Sequence, residues 1–345
     1  MTITPGSSDN TAALQALFDS ITPGSAVALP PGPILFSALL TLPAVNHVNF
    51  YGNGSELIYT GPAGAGDLIT LGTTVPTGLS VGEWSVYDLT ILSNVKLTAG
   101  AAFRANDLCD SVFYNPTLGG NILGNANLWT GGHFNGGNSI TLVGGRARGQ
   151  NAALIVNGDP NVQFTDFLLT GGIVLVQSGT GLVVGGNVGG LSVDQAAILE
   201  NGINVAIDNS QVNVANSQLF FGPLAAIDKT LGDPGQGIVI NDPGGPLSYL
   251  TLNGTWISSA SSLGLAAGYN VRWVIQITGG TIIDCGYGIV LESPNVELQA
   301  TGTAIRNSAG YGIMNLLGNP MVELSAMRYA NNAAGNTYGL PTSPN

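Results

Sequence analysis

Three short apolar segments that open with glycine each end in an acidic residue. The segments are GINVAID, GIVIND and GYGIVLE, and their last residues are Asp208, Asp242 and Glu292. If these segments stack as strands, Asp208 and Asp242 fall on adjacent turns, about 5–7 Å apart at ~4.8 Å per strand, with Glu292 two turns further. Glycoside hydrolysis uses two carboxyl groups at about this separation, one as acid and the other as base or nucleophile. The pattern therefore predicts an acidic groove that could hydrolyse a polysaccharide.

The segment 222–236 supplies two further acids, Asp228 and Asp233, and is expected to overhang the same groove. Solvated turn residues would give the same pattern, so the sequence leaves open whether the chain is an enzyme. If it is one, hydrolysis is favoured over β-elimination, because elimination needs a base that removes a C5 proton and a cation that neutralises the uronate. Eight Lys and Arg and two His in 345 residues supply little of either.

Other polar residues that could bind a ligand are sparse. Arg146 and Arg148 in GGRARG are the one close pair of bases, and they could hold the carboxylate of a sialic or uronic sugar. Surface arginines beside a turn are the alternative. His47 and His133 have no sequence neighbours that imply a ligand, and no Cys or His spacing resembles a zinc site. We therefore expect neither a metal nor a cofactor.

Four tryptophans provide the candidate sugar-stacking surfaces. Trp129, in NANLWTGGHFNGG, and Trp84 could each present an aromatic face to a pyranose ring. Trp256 and Trp273 are expected to pack within or against the coil.

Composition excludes several classes of protein. The chain has 20 acidic and 8 basic residues, a formal net charge of −12, and only 8% charged residues, where about a quarter is usual. So few bases cannot form the basic face that nucleic-acid binding requires. No apolar run reaches the ~18 residues of a membrane helix, and MTITPGSSDN lacks the basic and apolar regions of a signal peptide.

One amphipathic helix is predicted, over residues 10–20. Asp9 or Asn10 can serve as its N-cap. The apolar residues Ala13, Leu14, Leu17 and Phe18 then share one face. After this helix the sequence consists of short Val, Ile, Leu and Thr runs broken by Gly and Asn, which is typical of strands.

A six-residue pattern recurs through these strands. An apolar residue is followed by any residue, then Asp, Asn or Gly, two residues of any type, and a second apolar residue. The Asp, Asn or Gly positions are Gly52, Asp88, Asn115, Gly144, Asp166, Asn216, Gly254, Gly279 and Gly302. These residue types tolerate the positive φ of a sharp bend, and stacked Asn or Asp side chains can bond the neighbouring turn. We interpret them as structural bend residues rather than catalytic ones.

Units of about 22–27 residues with three strands and no helix cannot bury their own apolar face, but stacked units can. The sequence therefore predicts an all-β, single-stranded parallel β-helix of about 11–12 turns. Residues 1–54 are expected to form an N-terminal cap, residues 55–332 the coil, and residues 333–345 a polar tail. The helix would cover the open end of the coil, where unpaired strand edges promote aggregation.

The segment DNTAALQALFDSITPGSAVALPPGPILF, followed by VNFYGNG, resembles the N-terminal cap of the pectate-lyase-like right-handed β-helix superfamily. It is most similar to the phage tailspike and virion-associated branch. This resemblance covers residues 9–54 and implies a right-handed coil. It implies little about activity, because the superfamily includes lyases, hydrolases, epimerases and adhesins. The chain lacks an Asp-Asp pair and a Gly-His-Gly motif, which mark one catalytic branch, and lacks a Trp-x-Asp-His strand, which marks another.

The leading functional hypothesis is a phage virion protein of tailspike or fibre type that contacts host surface glycan or neighbouring virion proteins. Low surface charge favours association, since a free rod normally carries many Lys and Glu residues, and a homotrimer would bury a long face of each chain. Such a protein would reside in the virion and act outside the host cell. A polysaccharide depolymerase is the first alternative, and a secreted, acid-tolerant cell-wall enzyme is the second.

Overall fold

The computed structural model describes residues 2–6, 8–72, 81–119, 127–158, 163–208, 217–241, 245–318 and 321–340. Within these ranges the chain forms one helix, α1 (Thr11–Asp19), and 35 strands whose ladders are parallel. In chain order the strands are β1 Ala26–Ala28, β2 Gly32–Phe36, β3 Leu40–Leu42, β4 Val48–Tyr51, β5 Ser55–Tyr59, β6 Ile69–Leu71, β7 Val81–Gly82, β8 Trp84–Tyr87, β9 Thr90–Ser93, β10 Ala101–Tyr114, β11 Thr117–Leu118, β12 Thr130–Val143, β13 Arg146–Ala147, β14 Ala152–Gly158, β15 Phe164–Thr170, β16 Ile173–Val176, β17 Thr180–Gly186, β18 Gly190–Val193, β19 Ala196–Asn201, β20 Ile203–Asp208, β21 Gln218–Phe221, β22 Ala226–Thr230, β23 Gln236–Ile240, β24 Ser248–Asn253, β25 Trp256–Ser258, β26 Leu263–Ala267, β27 Trp273–Thr278, β28 Thr281–Ile283, β29 Tyr287–Leu291, β30 Glu297–Thr301, β31 Ala304–Arg306, β32 Tyr311–Asn315, β33 Val322–Ser325, β34 Arg328–Ala330 and β35 Gly335–Tyr338.

The strands stack into a parallel β-solenoid with three faces, which confirms the predicted fold class. Face 1 contains β3, β6, β14, β17, β20, β23, β26, β29, β32 and β35; face 2 contains β1, β4, β7, β8, β15, β18, β21, β24, β27, β30 and β33. Face 3 is the separate twelve-stranded sheet of β2, β5, β9, β11, β13, β16, β19, β22, β25, β28, β31 and β34. The long strands β10 and β12 run through faces 1 and 2, turning the corner at Asp107 (φ 53°) and at Gly136 and Gly137 (φ 68° and 129°).

Stacked columns of inward side chains fill the coil. One such column on face 1 is fully buried: Leu182, Val205, Ile238, Leu265, Ile289 and Ile313. Nearer the N-terminus, Phe103, Phe113 and Phe134 pack edge-on or tilted, with ring centroids 5.4–6.2 Å apart. Burying a side chain of this size contributes about 1.5–3 kcal/mol. Because single turns bury little alone, this core forms only when turns stack.

Helix α1 covers the N-terminal end of the coil, as the sequence predicts. Leu14 and Phe18 are fully buried, and the Phe18 ring meets Phe50 edge-on at 6.1 Å. Gln15 exchanges two hydrogen bonds of 3.0 Å with the backbone of Thr41 in β3. Asn10 occupies the N-cap position without a side-chain cap bond, while the Asp9 carboxylate accepts a hydrogen bond from the Thr11 amide at 3.0 Å.

The predicted bend residues are confirmed at two of the four Asp and Asn positions. Asp88 (φ 51°) and Asn115 (φ 49°) lie between faces 2 and 3, and the Asn115 amide donates to the Asp88 carboxylate at 3.3 Å. The prediction for Asp166 is wrong. Asp166 lies inside β15 in a left-handed bulge (φ 57°), and the bend after β15 is at Gly171 and Gly172. The bulge lets Phe164 and Leu169, five residues apart, both point inward, which imitates the bend pattern. Asn216 lies outside the described residues.

Two further observations concern the ends of the chain and membranes. Strand β35 pairs with β32 beyond residue 332, and the division into cap, coil and tail stays a prediction. Across the described ranges, no helix has the length and apolar character needed to cross a membrane.

Candidate functional site

An open groove of about 830 Å³ runs along the outward side of face 2. It crosses six successive strands from β12 to β27, a length of about 24 Å at ~4.8 Å per strand. Its floor is a column of side chains in direct register: Thr141, Leu168, Ser192, Phe220, Thr251 and Gln276.

A second column forms the edge of this groove. Its members are Ser139, Asp166, Gly190, Gln218 and Tyr249. Together the two columns offer hydroxyl and amide groups, two aromatic rings and a single carboxylate. Ligand sites commonly combine apolar and aromatic surface with a few polar groups that fix orientation. This surface suits an elongated, hydroxyl-rich and uncharged ligand better than a strongly charged one.

An acidic column continues this edge toward the N-terminus. It consists of equivalent positions on four successive levels, Glu83, Asp110, Ser139 and Asp166, and all four have a left-handed backbone, with φ between 46° and 60°. Asp110 and Asp166 lie two levels apart, about 9.6 Å by strand spacing, close to the range of an inverting glycosidase pair. Neither the bend pattern nor the glycine-opened segments point to this column. The signal that could have found it is its own spacing of 27, 29 and 27 residues.

The acids predicted from the sequence lie elsewhere, at the edge of face 1. Asp208 closes β20, and Glu292 follows β29, three strands further along the face. That separation is about 14 Å. Asp242 lies outside the described residues, although its strand, β23, is adjacent to β20 as expected. The catalytic roles of Asp208, Asp242 and Glu292 stay predictions.

The segment 222–236 does not overhang that edge. Residues 226–230 form β22 on face 3. The side chains of Ile227 and Thr230 in this strand are buried in the core, which ties the segment to that face. Asp228 lies on the outward side of this strand and accepts a hydrogen bond from Ser258 on β25. Asp233 is exposed in the turn that leads to β23. Asp228 is therefore on a different face from Asp208.

The predicted glycan contacts are divided among several surfaces. Arg146 and Arg148 lie on the outward side of face 3, and burial lowers the pKa of Arg148. Trp129 precedes β12 and is 36% exposed. Trp84 is only 1% exposed, and its indole donates to the Val45 carbonyl at 2.7 Å. The prediction of a sugar-stacking surface at Trp84 is therefore wrong, because neither ring face reaches solvent.

The two tryptophans expected to pack within or against the coil differ in burial. Trp273 is fully buried, as expected. Trp256 is 45% exposed and lies against the outside of the coil on face 3, where its indole Nε1 donates to the Ser258 hydroxyl. The strand alternation of β25 turns Ile257 inward, so Trp256 must face outward.

His133 has charged neighbours that its sequence context does not reveal. It pairs in register with Arg104, whose guanidinium forms an ion pair with Asp67 at 3.2 Å and a hydrogen bond with Asn106 at 3.1 Å. The Nε2 atom of His133 is buried and finds no hydrogen-bond partner within the described residues. Burial, reinforced by the charge of Arg104, lowers the pKa of His133 to about 4. The imidazole is therefore neutral at pH 7.

Among the residues that the structure describes, no three His, Cys, Asp or Glu side chains come together as metal ligands. Within the described parts of the groove and of the face 1 edge, no set of donors typical of a bound cation is present. The chemistry available in both places is hydrogen bonding, apolar contact and carboxyl acid–base chemistry.

Comparison with solved structures identifies the architecture. The chain superposes on the A-module of the mannuronan C-5 epimerase AlgE4 of Azotobacter vinelandii with a TM-score of 0.69 and 15% identity, covering 99% of this chain and 96% of that one. The chain has the fold of the pectate-lyase-like β-helix proteins. Tailspike protein 3 of bacteriophage CBA120 matches with a TM-score of 0.53 and 14% identity over 100% of this chain and 61% of that one.

The catalytic domain of Agl-KA matches with a TM-score of 0.53 and 13% identity, covering 98% of this chain and 66% of that one. The chain thus spans less than two thirds of the phage protein and about two thirds of the Agl-KA domain. No protein-family profile and no curated protein matches the sequence. At these identities the likeness concerns the fold.

Proposed function

We propose that this protein binds a polysaccharide chain along the groove of face 2. The observation that carries the proposal is the groove's lining, in which Phe220 and Tyr249 alternate with hydroxyl and amide side chains over about 24 Å of solenoid. Aromatic rings provide apolar surface for the C–H faces of sugars, while hydroxyl and amide groups exchange hydrogen bonds with sugar hydroxyls. The ladder of Tyr51, Tyr87 and Tyr114, stacked at 4.9 and 5.0 Å, extends this face toward the N-terminus.

We further propose a tailspike- or fibre-type role in a phage virion, with host surface polysaccharide as the ligand and other virion proteins as neighbours. The similarity to a phage tailspike protein supports this role, as does the low content of charged residues. The protein would then be located in the particle and act outside the host cell.

We also propose that copies associate through face 1, as a homotrimer. Seven consecutive levels each contribute one uncharged outward position to a column: Ile155, Val183, Ala206, Val239, Ala266, Val290 and Met314, of which Ala266 and Val290 are only 5% and 3% exposed. This aliphatic column is about 29 Å long at ~4.8 Å per level. Cyclic association would remove its partly exposed members from water in every copy.

Polysaccharide hydrolysis is the second candidate function, favoured by the carboxyl groups beside the groove. One candidate catalytic pair is Asp110 and Asp166, which lie on the levels before and after Ser139. The competing pair is Asp208 and Asp242, predicted at the edge of face 1. A secreted, acid-tolerant cell-wall enzyme would use the same chemistry. In either case two carboxyl groups in different environments divide the acid and base roles.

A binding and product assay tests these proposals. Purified bacterial surface polysaccharides are incubated with the wild-type protein and with Phe220→Ala, Tyr249→Ala and the exposed-loop control Tyr269→Ala. Groove binding predicts that the first two variants bind about tenfold more weakly, while Tyr269→Ala binds as the wild type does. Equal binding by all four proteins would contradict the groove assignment.

The same incubations report on hydrolysis. New reducing ends without an unsaturated product, lost in Asp166→Asn but not in Asp208→Asn, would locate the chemistry in the groove. The reverse pattern would locate it at the face 1 edge. Binding without any product would leave the protein as an adhesin.

A further inference from the structure

Trp256 is the most exposed of the four tryptophans and lies on face 3, away from the groove. It is 45% exposed, compared with 36% for Trp129 and 1% or less for Trp84 and Trp273. It occupies the first position of β25, between Ala226 of β22 and Thr281 of β28. A large aromatic side chain in the middle of an outward sheet surface exposes apolar area that the fold itself does not use.

A chain of hydrogen bonds fixes this indole. Its Nε1 atom donates to the Ser258 hydroxyl at 2.7 Å, and that hydroxyl donates to Oδ1 of Asp228. Ser258 is two residues along the same strand and is only 4% exposed. The bond therefore holds the indole down along the strand instead of letting it project into solvent. An exposed fraction near one half agrees with one ring face covered by the sheet and the other turned outward.

The surroundings of the ring leave that outer face open. The outward positions on the two preceding levels are Ala226 and Ala197, and Thr281 follows on the next level. These small side chains form a low shelf beside the indole. Leu224, 63% exposed, lies in the bend just before β22 and adds apolar surface. The carboxylate of Asp228 lies on the same shelf and uses Oδ1 for Ser258, which leaves Oδ2 available as an acceptor.

We propose that Trp256, Asp228 and the alanine shelf form a second carbohydrate site that takes a neutral pyranose. A flat aromatic face suits the C–H face of a sugar ring, and a carboxylate oxygen accepts a hydrogen bond from a sugar hydroxyl. The carboxylate and the net charge of −12 disfavour an acidic sugar. A purely apolar partner would cover the carboxylate without bonding it, which is costly. The inference rests on the proposed carbohydrate ligand, but it concerns a different face.

Two sites on one rod have a consequence for affinity. A long polysaccharide, or neighbouring chains on one cell surface, could engage face 2 and face 3 together. The second contact is then made at a high effective concentration, so weak single-sugar binding at Trp256 would strengthen overall attachment.

An array of immobilised neutral and acidic oligosaccharides tests the site. Wild-type protein is compared with Trp256→Ala, Trp256→Phe, Asp228→Asn, the exposed-loop control Tyr269→Ala, and the groove variant Phe220→Ala. We expect a set of neutral glycans whose binding falls about tenfold or more in Trp256→Ala. The fall should be smaller in Asp228→Asn and Trp256→Phe, and absent in Tyr269→Ala. Thermal unfolding of each variant confirms that it is folded.

The outcomes separate the two proposals. Glycan binding that is lost in Phe220→Ala but unchanged in Trp256→Ala would overturn the second site and keep the groove. Binding of neutral glycans that is lost in Trp256→Ala and unchanged in Phe220→Ala would support the second site, even if no glycan binds in the groove. Selective loss of acidic glycans in Trp256→Ala would contradict the neutral-sugar assignment, and absence of any glycan binding by the wild type would reject both. Titration of the best-bound neutral glycan should also change tryptophan fluorescence in the wild type and not in Trp256→Ala.

Discussion

At the scale of single residues, Asn201 is a buried amide that joins three consecutive turns. Its side-chain oxygen accepts from the Ser178 amide at 2.9 Å, and its side-chain nitrogen donates to the Leu175 carbonyl and to Asn204 at 3.2 and 3.1 Å. Asn204 in turn donates to the Asp228 carbonyl at 3.1 Å on the next turn. Each of these groups would be desolvated and unsatisfied without its partner.

We predict that Asn201→Ala lowers the free energy of unfolding by about 2–4 kcal/mol, since it leaves several buried polar groups without partners. Urea denaturation followed by circular dichroism measures the loss. The control is Gln276→Ala, which removes an exposed side-chain bond to Gln299 and should change the unfolding free energy by about 0.5 kcal/mol or less. If both variants lose the same free energy of unfolding, the buried network around Asn201 does not stabilise the protein more than an exposed hydrogen bond does.

His133 predicts a pH dependence of stability. Its pKa in the folded protein is about 4, below the ordinary 6.5. Between these values the unfolded chain binds a proton that the native protein does not, so this contribution is present above pH 6.5 and is lost as the pH falls toward 4. The loss should approach about 3 kcal/mol. Urea unfolding at pH 7, 5.5 and 4 should show a smaller decrease for His133→Gln than for the wild type.

The exposed histidine supplies the control for this experiment. His47 lies on the surface in contact with Glu83, and His47→Gln should retain the loss that depends on His133. If the free energy of unfolding of His133→Gln and of the wild type falls equally between pH 7 and pH 4, the buried imidazole is not the cause of the pH dependence.

At the scale of elements, helix α1 stabilises the solenoid by closing its first turn. Phe18→Ala should lower the free energy of unfolding by about 3–5 kcal/mol, because it removes a fully buried ring that packs on Phe50. Leu17, on the same helix but only partly buried, supplies the comparison: Leu17→Ala should cost about 1 kcal/mol. Chemical denaturation measures both values, and light scattering should detect aggregation of Phe18→Ala through the uncovered strand ends. Equal decreases in the free energy of unfolding for Phe18→Ala and Leu17→Ala would mean that burial of Phe18 does not attach the helix to the coil.

At the scale of the whole molecule, the uncharged column of face 1 predicts self-association. Sedimentation velocity at micromolar concentration should show a trimer of the wild-type protein. Val239→Lys should dissociate it, because an interface would have to bury an unpaired ammonium group. Thr281→Lys adds the same charge on face 3 and should leave the trimer intact. A wild-type monomer, or a trimer that tolerates Val239→Lys, would refute assembly through face 1.

The sequence by itself determined the fold class and the capping helix. Helix periodicity, an N-terminal capping segment and a repeat of Gly, Asn and Asp bends are local properties, and the structure confirms a solenoid with a helix at Thr11–Asp19. The stacking of Asn115 on Asp88 also followed from residue type and spacing. The strand adjacency of β20 and β23 was predictable for the same reason, since their glycine-opened patterns match.

The tertiary structure alone decided which residues share a surface. The sequence placed Asp228 with Asp208 and Trp84 on the surface, and both placements were wrong. The groove and the column from Glu83 to Asp166 were not foreseen. The physical reason is that strand alternation has a period of two, so a one-residue bulge such as that at Asp166 reverses which side chains face outward. Variable corner lengths then set which level and face each strand joins, and short-range patterns do not encode that register.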